Sequence, residues 1–200
     1  MGDRLLNIQL RYVRETYDRL AEELETALPA LREGNRFHFR AFGQSCTITP
    51  EGILLSGERL TGGLGIIIAL YARYASHDEV QLFPPKAFAQ IKGSQPHQGA
   101  FRARSEQSLV PHVGAIRESM DRILQVFDGF ENEDGSGDFS FTLFPLPKIP
   151  LRYVFYLADE EFPASVTCLF AANAESFMPL DGLADVGEHA AEMIVELIRP

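Results

Sequence analysis

FSFTLFPLPKIPLRYVFYLADEEFPASVTCLF, residues 139–170, decides the fold. Three runs within it, FSFTLFP (139–145), LRYVFYLA (151–158) and SVTCLF (165–170), are rich in the β-branched and aromatic residues that suit a pleated, buried surface. The proline-stiffened LPKIP joins the first two, and the hexapeptide Asp159 to Ala164 joins the last two. Neither link is long enough for a crossover helix, so the strands must pair antiparallel. Asp159, Glu160 and Glu161 are adjacent on such a turn, point different ways and stay solvated. They lack the facing geometry of an acid–base pair and the alternate spacing of a calcium loop. They read as a polar strand connection that Phe162-Pro163 anchors back into the core.

Upstream, RFHFRAF (36–42) alternates strictly, with Phe37, Phe39 and Ala41 opposite Arg36, His38 and Arg40. CTIT (46–49) and ILLS (53–56) continue the pattern around Pro50-Glu51-Gly52, which predicts a meander of short antiparallel strands. IIIALYARYA (66–75), opened by Gly62-Gly63-Leu64-Gly65, is apolar on nearly every side and reads as a central buried helix. Leu6, Leu10, Val13, Tyr17, Leu20, Leu24, Leu28 and Leu31 form a narrow stripe on a long N-terminal helix. Pro29 and Gly34 kink or stop that helix. Val80 to Gln98 reads as a long ordered loop, GAFRARSEQ (99–107) as an extended, alternating segment, and Pro111 as the start of a further helix. DGFENEDGSGD (128–138) is an acidic, glycine-rich turn for solvent, and Leu183, Val186, Ala190, Ile194 and Leu197 mark a C-terminal amphipathic helix. The fold class that follows is α+β, a mainly antiparallel sheet packed by the N-terminal, central and C-terminal helices. Residues 1–34 are expected to be a docked helical arm and 35–200 a single domain.

Charge narrows the partners. The 28 acidic against 18 basic residues give −10, so phosphate backbones and acidic membrane surfaces are poor partners. The imbalance is local: Lys86 to Arg122 holds six bases against three acids, a mildly basic face able to attract a small anion or an acidic protein. Cys46 and Cys168 lie far apart inside strand-like runs, and without a C-x-x-C they supply neither a cluster nor a structural zinc site. No cofactor is expected. The start MGDRLLNIQL has no apolar signal core, and the longest apolar run is too short to span a bilayer, which fits a reducing cytoplasm.

No nucleophile elbow, phosphate loop or H-x-x-x-H is present, and Asp185, His189 and Glu192 need be no more than an exposed polar face. The most suggestive constellation is Arg102, Arg104, Glu106 and His112. On an extended segment the two arginines leave one face together, and paired guanidinium groups suit a carboxylate or phosphate.

GAFRARSEQSLVPHVGAI (99–116), the strand set from Phe141 to Phe170, and ESFMPLDGLADVGEHAAEMI (175–194) together resemble an uncharacterised domain-of-unknown-function family of anaerobic bacteria and archaea. The likeness runs from about Phe37 onward. It implies association with iron–sulfur modules of the kind seen in corrinoid and one-carbon proteins, although this chain has no cluster ligands of its own. It implies no reaction and transfers no catalytic residue.

Three functions are therefore carried forward. The first is a non-catalytic binding or accessory protein for an acidic partner, such as an iron–sulfur or corrinoid protein, or for a small anion, with Arg102, Arg104, Glu106 and His112 at the site. The second is an enzyme using His97 or His112 beside the Val80–Gln98 loop. The third is a structural domain forming a homodimer through the leucine stripe.

Overall fold

The leucine stripe stops being helical earlier than its spacing predicts. The computed structural model, which describes residues 2–20 and 23–199, has helix α1 over Gly2–Leu20 and a single turn, α2, over Leu24–Ala27. Pro29 brings no N–H to a further turn, and Leu31 lies on a strand and is 75% exposed. Val13, Leu24 and Leu28 are fully buried, and α1 packs within the chain against helix α3 (Gly63–Arg73). Gly65 permits that contact, because a Cβ there would lie 2.6 Å from the Gln9 side-chain amide.

Strands β1 (Leu31–Glu33), β2 (Arg36–Ala41), β3 (Gln44–Thr49), β4 (Gly52–Leu55) and β5 (Glu58–Arg59) form the expected antiparallel meander in sequential order. Phe37, Phe39 and Ala41 are buried while Arg36 and Arg40 are exposed, as the alternation requires. Phe42-Gly43 and Ser56-Gly57 make the tight turns, each with two positive φ angles, the backbone that matches strand twist. α3 is buried from Ile67 to Ala72. Its Tyr71 ring lies 6.1 Å from Phe39, and the Tyr71 hydroxyl accepts the Lys148 N–H at 3.2 Å, so one residue ties the meander to the second sheet.

That second sheet is a difference from the single sheet expected. β6 (Lys86–Ala87), β7 (Phe130–Glu131), β8 (Phe139–Leu146), β9 (Ile149–Tyr156) and β10 (Ser165–Phe170) pair antiparallel in the order β6-β10-β9-β8-β7. Helices α4 (Gln98–Phe101), α5 (Val113–Glu118) and α6 (Met120–Val126) precede its long strands, and α7 (Leu180–Leu197) closes the chain. The fold is α+β with two antiparallel sheets, and among the described residues no helix is long and apolar enough to cross a membrane.

Residues 99–107 are not extended. α4 runs into a π-helical turn over Arg102–Glu106. Phe101 and Ser105 are buried, whereas Ala103, which strict alternation would bury between them, is exposed. Positions four apart satisfy both a period of two and a helical period, which is why the alternation misleads. Gly187 of α7 lets the segment approach: a Cβ there would meet the Phe101 ring at 2.6 Å.

Cross-strand register sorts the second sheet into two faces. Phe141, Tyr153 and Cys168 are in register on the core face, where Phe139 and Phe155 stack at 4.5 Å. Thr142, Arg152 and Leu169 are in register on the opposite face. There the chain has placed a charge.

Candidate anion-binding site

The helical path separates the two arginines expected to act together, since residues two apart on a helix do not face one another. Arg104 Nη1 donates to both oxygens of Glu188 on α7, at 3.2 and 3.1 Å. Arg102 is exposed and lies one turn before Glu106, which points inward. Glu106 Oε1 accepts the Cys168 N–H at 3.0 Å. His112 lines an open groove with Arg104, Ser108, Glu188, Glu192 and Arg199, while His97 is exposed at the start of α4. Burial, then Asp181 and Glu188, hold the Asp185 carboxyl above its usual range, with Arg104 and His97 opposing.

Burial raises the Glu106 pKa, partly offset by the Cys168 N–H and by Arg102. A carboxyl raised in the folded state binds its proton more tightly there than in the unfolded chain. Stability is then greatest below the ordinary value of 4.5 and falls as pH rises through the folded-state pKa. Glu106→Gln keeps the acceptor and removes the charge. Its thermal midpoint is expected to exceed the wild-type midpoint at pH 7.5 and to match it at pH 4; equal midpoints at both pH values would contradict this account.

The acidic turn is a local structure. Asp159 Oδ1 accepts the N–H groups of Glu161 and Phe162 at 2.8 and 2.7 Å, which holds its carboxyl below the usual range, and all three acids are exposed. Cys46 and Cys168 are free and fully buried, and burial pushes the Cys46 thiol up to about 12 and Cys168 further. Among the described residues no three His, Cys, Asp or Glu side chains are grouped as metal ligands; His189 Nδ1 faces Glu192 at 3.4 Å.

Sequence reasoning missed Arg152. It sits in the middle of β9, 8% exposed, on the face away from the aromatic core. A guanidinium so placed must be paired to stay charged. Nη2 donates to Asp134 Oδ1 and Oδ2 at 2.6 and 2.5 Å, and lies 2.9 Å from Ser136 Oγ. Nε is buried and, among the described residues, has no hydrogen-bond partner, as is true of Nδ2 of Asn132 and Oγ of Ser140. Asn132 is oriented by Thr142, whose Oγ1 donates to Asn132 Oδ1 at 3.0 Å. Phe83, 66% exposed, holds its ring 5.9 Å from Arg152 Cζ, and Phe130 is 44% exposed. Arg152, Asn132, Phe83 and Phe130 line one small cavity of about 30 Å³, room for a water or two. The signal was present in the sequence as a lone charge inside LRYVFYLA. The acidic turn assigned to solvent returns Asp134 to that charge from 18 residues away.

Residues 21–193 match the family described as a domain of unknown function (DUF3786), and the chain belongs to that family. No curated protein and no solved structure matches it.

Proposed function

We propose that this DUF3786 protein is a non-catalytic binding protein for a small anion, anchored by Arg152. The observation that carries the reading is a nine-tenths buried guanidinium whose Nε–H has no partner among the described residues, beside a second such donor on Asn132. A buried donor left unsatisfied costs about 1–3 kcal/mol, so a ligand oxygen that meets it recovers that penalty. The solvent-rimmed aromatic wall of Phe83 and Phe130 gives a ligand a place to enter. Asp159 is occupied by its own turn, and Arg104 by Glu188, so neither is a better starting point.

Isothermal titration of the full chain with acetate, phenylacetate and inorganic phosphate tests this. Arg152→Met, which leaves an apolar side chain on the sheet, is expected to weaken the binding seen in the wild type about 10- to 100-fold. Undiminished binding by Arg152→Met, with loss in Arg102→Ala/Arg104→Ala, would return the site to the helical segment. Association with an iron–sulfur or corrinoid protein of anaerobic metabolism, which the sequence resemblance implies, fits an accessory role of this kind. Co-purification of such a protein with the wild-type chain would support it.

A further inference from the structure

We infer that the ligand is a small monocarboxylate with an apolar or aromatic body, whose carboxylate takes the place of Asp134 on Arg152 while its body lies against Phe83 and Phe130. This rests on the anion-site reading and narrows it to a chemical class.

Four observations converge. Arg152 already holds a carboxylate: both Asp134 oxygens lie within 2.6 Å of Nη2, and Ser136 Oγ is 2.9 Å from the same nitrogen. Asp134 uses Nη2 alone, which leaves the Nε–H for a carboxylate able to engage both nitrogens. The resident carboxylate is carried by the turn between β7 and β8, not by the sheet itself. The segment carrying it is pinned at its ends, where Asn132 N–H donates to Ser140 O and Asp138 N–H to Phe155 O, each at 2.9 Å. Between those ends, among the described residues, its hydrogen bonds to the sheet run through Arg152. Asp134 itself is exposed, so a solute can reach its oxygens, while the guanidinium that they pair with is buried and needs a carboxylate in that place. Gly135, at φ 72°, has nothing within 4 Å of where a Cβ would stand, whereas Gly137 packs on β9, so the open part of the segment is the part that carries Asp134.

The third observation is charge. One guanidinium faces Asp134, with Glu133 and Asp138 nearby in sequence, on a chain of net charge −10. A monoanion gains the Arg152 contact with half the repulsion that a dianion such as phosphate meets. The fourth is the wall. Leu82, Phe83, Pro85, Phe130, Pro150 and Leu169 make up most of the lining, with Asn132 and Thr142 its polar members beside Arg152, so the cavity rewards an apolar body more than the several oxygens of a phosphate. At about 30 Å³ the cavity has no room for the body of such a ligand as it stands, so binding requires its exposed wall at Phe83 and Phe130 to open.

The test is titration of the wild type, Asp134→Ala, Phe83→Ala/Phe130→Ala and Arg152→Met with phenylacetate, acetate and inorganic phosphate. Phenylacetate is expected to bind at least about ten-fold more tightly than acetate in the wild type. Asp134→Ala should tighten phenylacetate about two- to five-fold by removing the competitor, and the double phenylalanine variant should bring phenylacetate down to the acetate level. If phosphate outbinds phenylacetate, or Asp134→Ala leaves phenylacetate unchanged, the carboxylate assignment is overturned while Arg152-dependent anion binding stands. If no anion binds the wild type or Asp134→Ala in an Arg152-dependent way, both readings fall.

Discussion

Phe155→Ala is expected to lower the free energy of unfolding by about 3–5 kcal/mol. Phe155 lies on β9, which is paired on both sides, and is fully buried. Its ring stacks on Phe139 at 4.5 Å and 4°, meets Phe141 at 5.0 Å and lies 6.1 Å from Tyr153, so truncation opens a cavity and removes three aromatic pairs together. The paired strands on either side restrain collapse around the void. Against a typical total of about 5–15 kcal/mol, the loss is a large share of the whole. Urea unfolding followed by far-ultraviolet circular dichroism reads it; a loss below about 1 kcal/mol would show that this face is not the core.

The second large effect belongs to Gly43. It turns the chain between β2 and β3 at φ 72°, and a Cβ there would stand 2.5 Å from Val126 Cγ1 and 2.8 Å from Val126 O. The neighbours cannot easily move. Arg40 Nη2 donates to Gly43 O at 2.9 Å and Val126 O at 3.0 Å, Arg40 Nε lies 2.6 Å from Asp128, and Phe42 N–H donates to Pro145 O at 2.6 Å. This turn is where the first sheet is fastened to α6 and β8. Gly43→Ala adds an overpacking cost to the cost of positive φ, for a total of about 2–4 kcal/mol. Gly57, at φ 85° with nothing within 4 Å, isolates the backbone part: Gly57→Ala should cost only about 1–2 kcal/mol. Equal losses at the two positions would mean that the Val126 contact carries no weight.

The legible parts of the fold were those in which one local pattern had one solution. RFHFRAF could satisfy its alternation only as a strand, and the links in 139–170 were too short for anything but antiparallel pairing. Within the 66–75 run, Ile67 to Ala72 are buried all round because the helix touches both sheets, while Tyr74 at its end is exposed. Residues 101 and 105 fitted two periods at once, and the choice between them came from α7, whose Gly187 offers a helix-sized seat. Strand identity also does not say which strands pair, so one sheet was expected where two exist. The site depended on that missing information. Arg152 was visible as a charge in an apolar strand, but its face, its burial and its meeting with Asp134 are set by register across β8, β9 and β10 and by the path of a glycine-rich turn. Arg102, Arg104, Glu106 and His112 were grouped on the premise of an extended backbone, and the π-helical turn removed the premise.

The most direct measurement is the Arg152 Nε–Hε resonance in a nitrogen-15 spectrum of the full chain, assigned by its loss in Arg152→Met and followed during a phenylacetate titration. A buried donor awaiting a ligand oxygen predicts a downfield shift that saturates with a single binding curve, reached at lower concentration in Asp134→Ala. A resonance that stays in place in both proteins while phenylacetate reaches saturation by calorimetry would contradict the claim that Arg152 is where the anion binds.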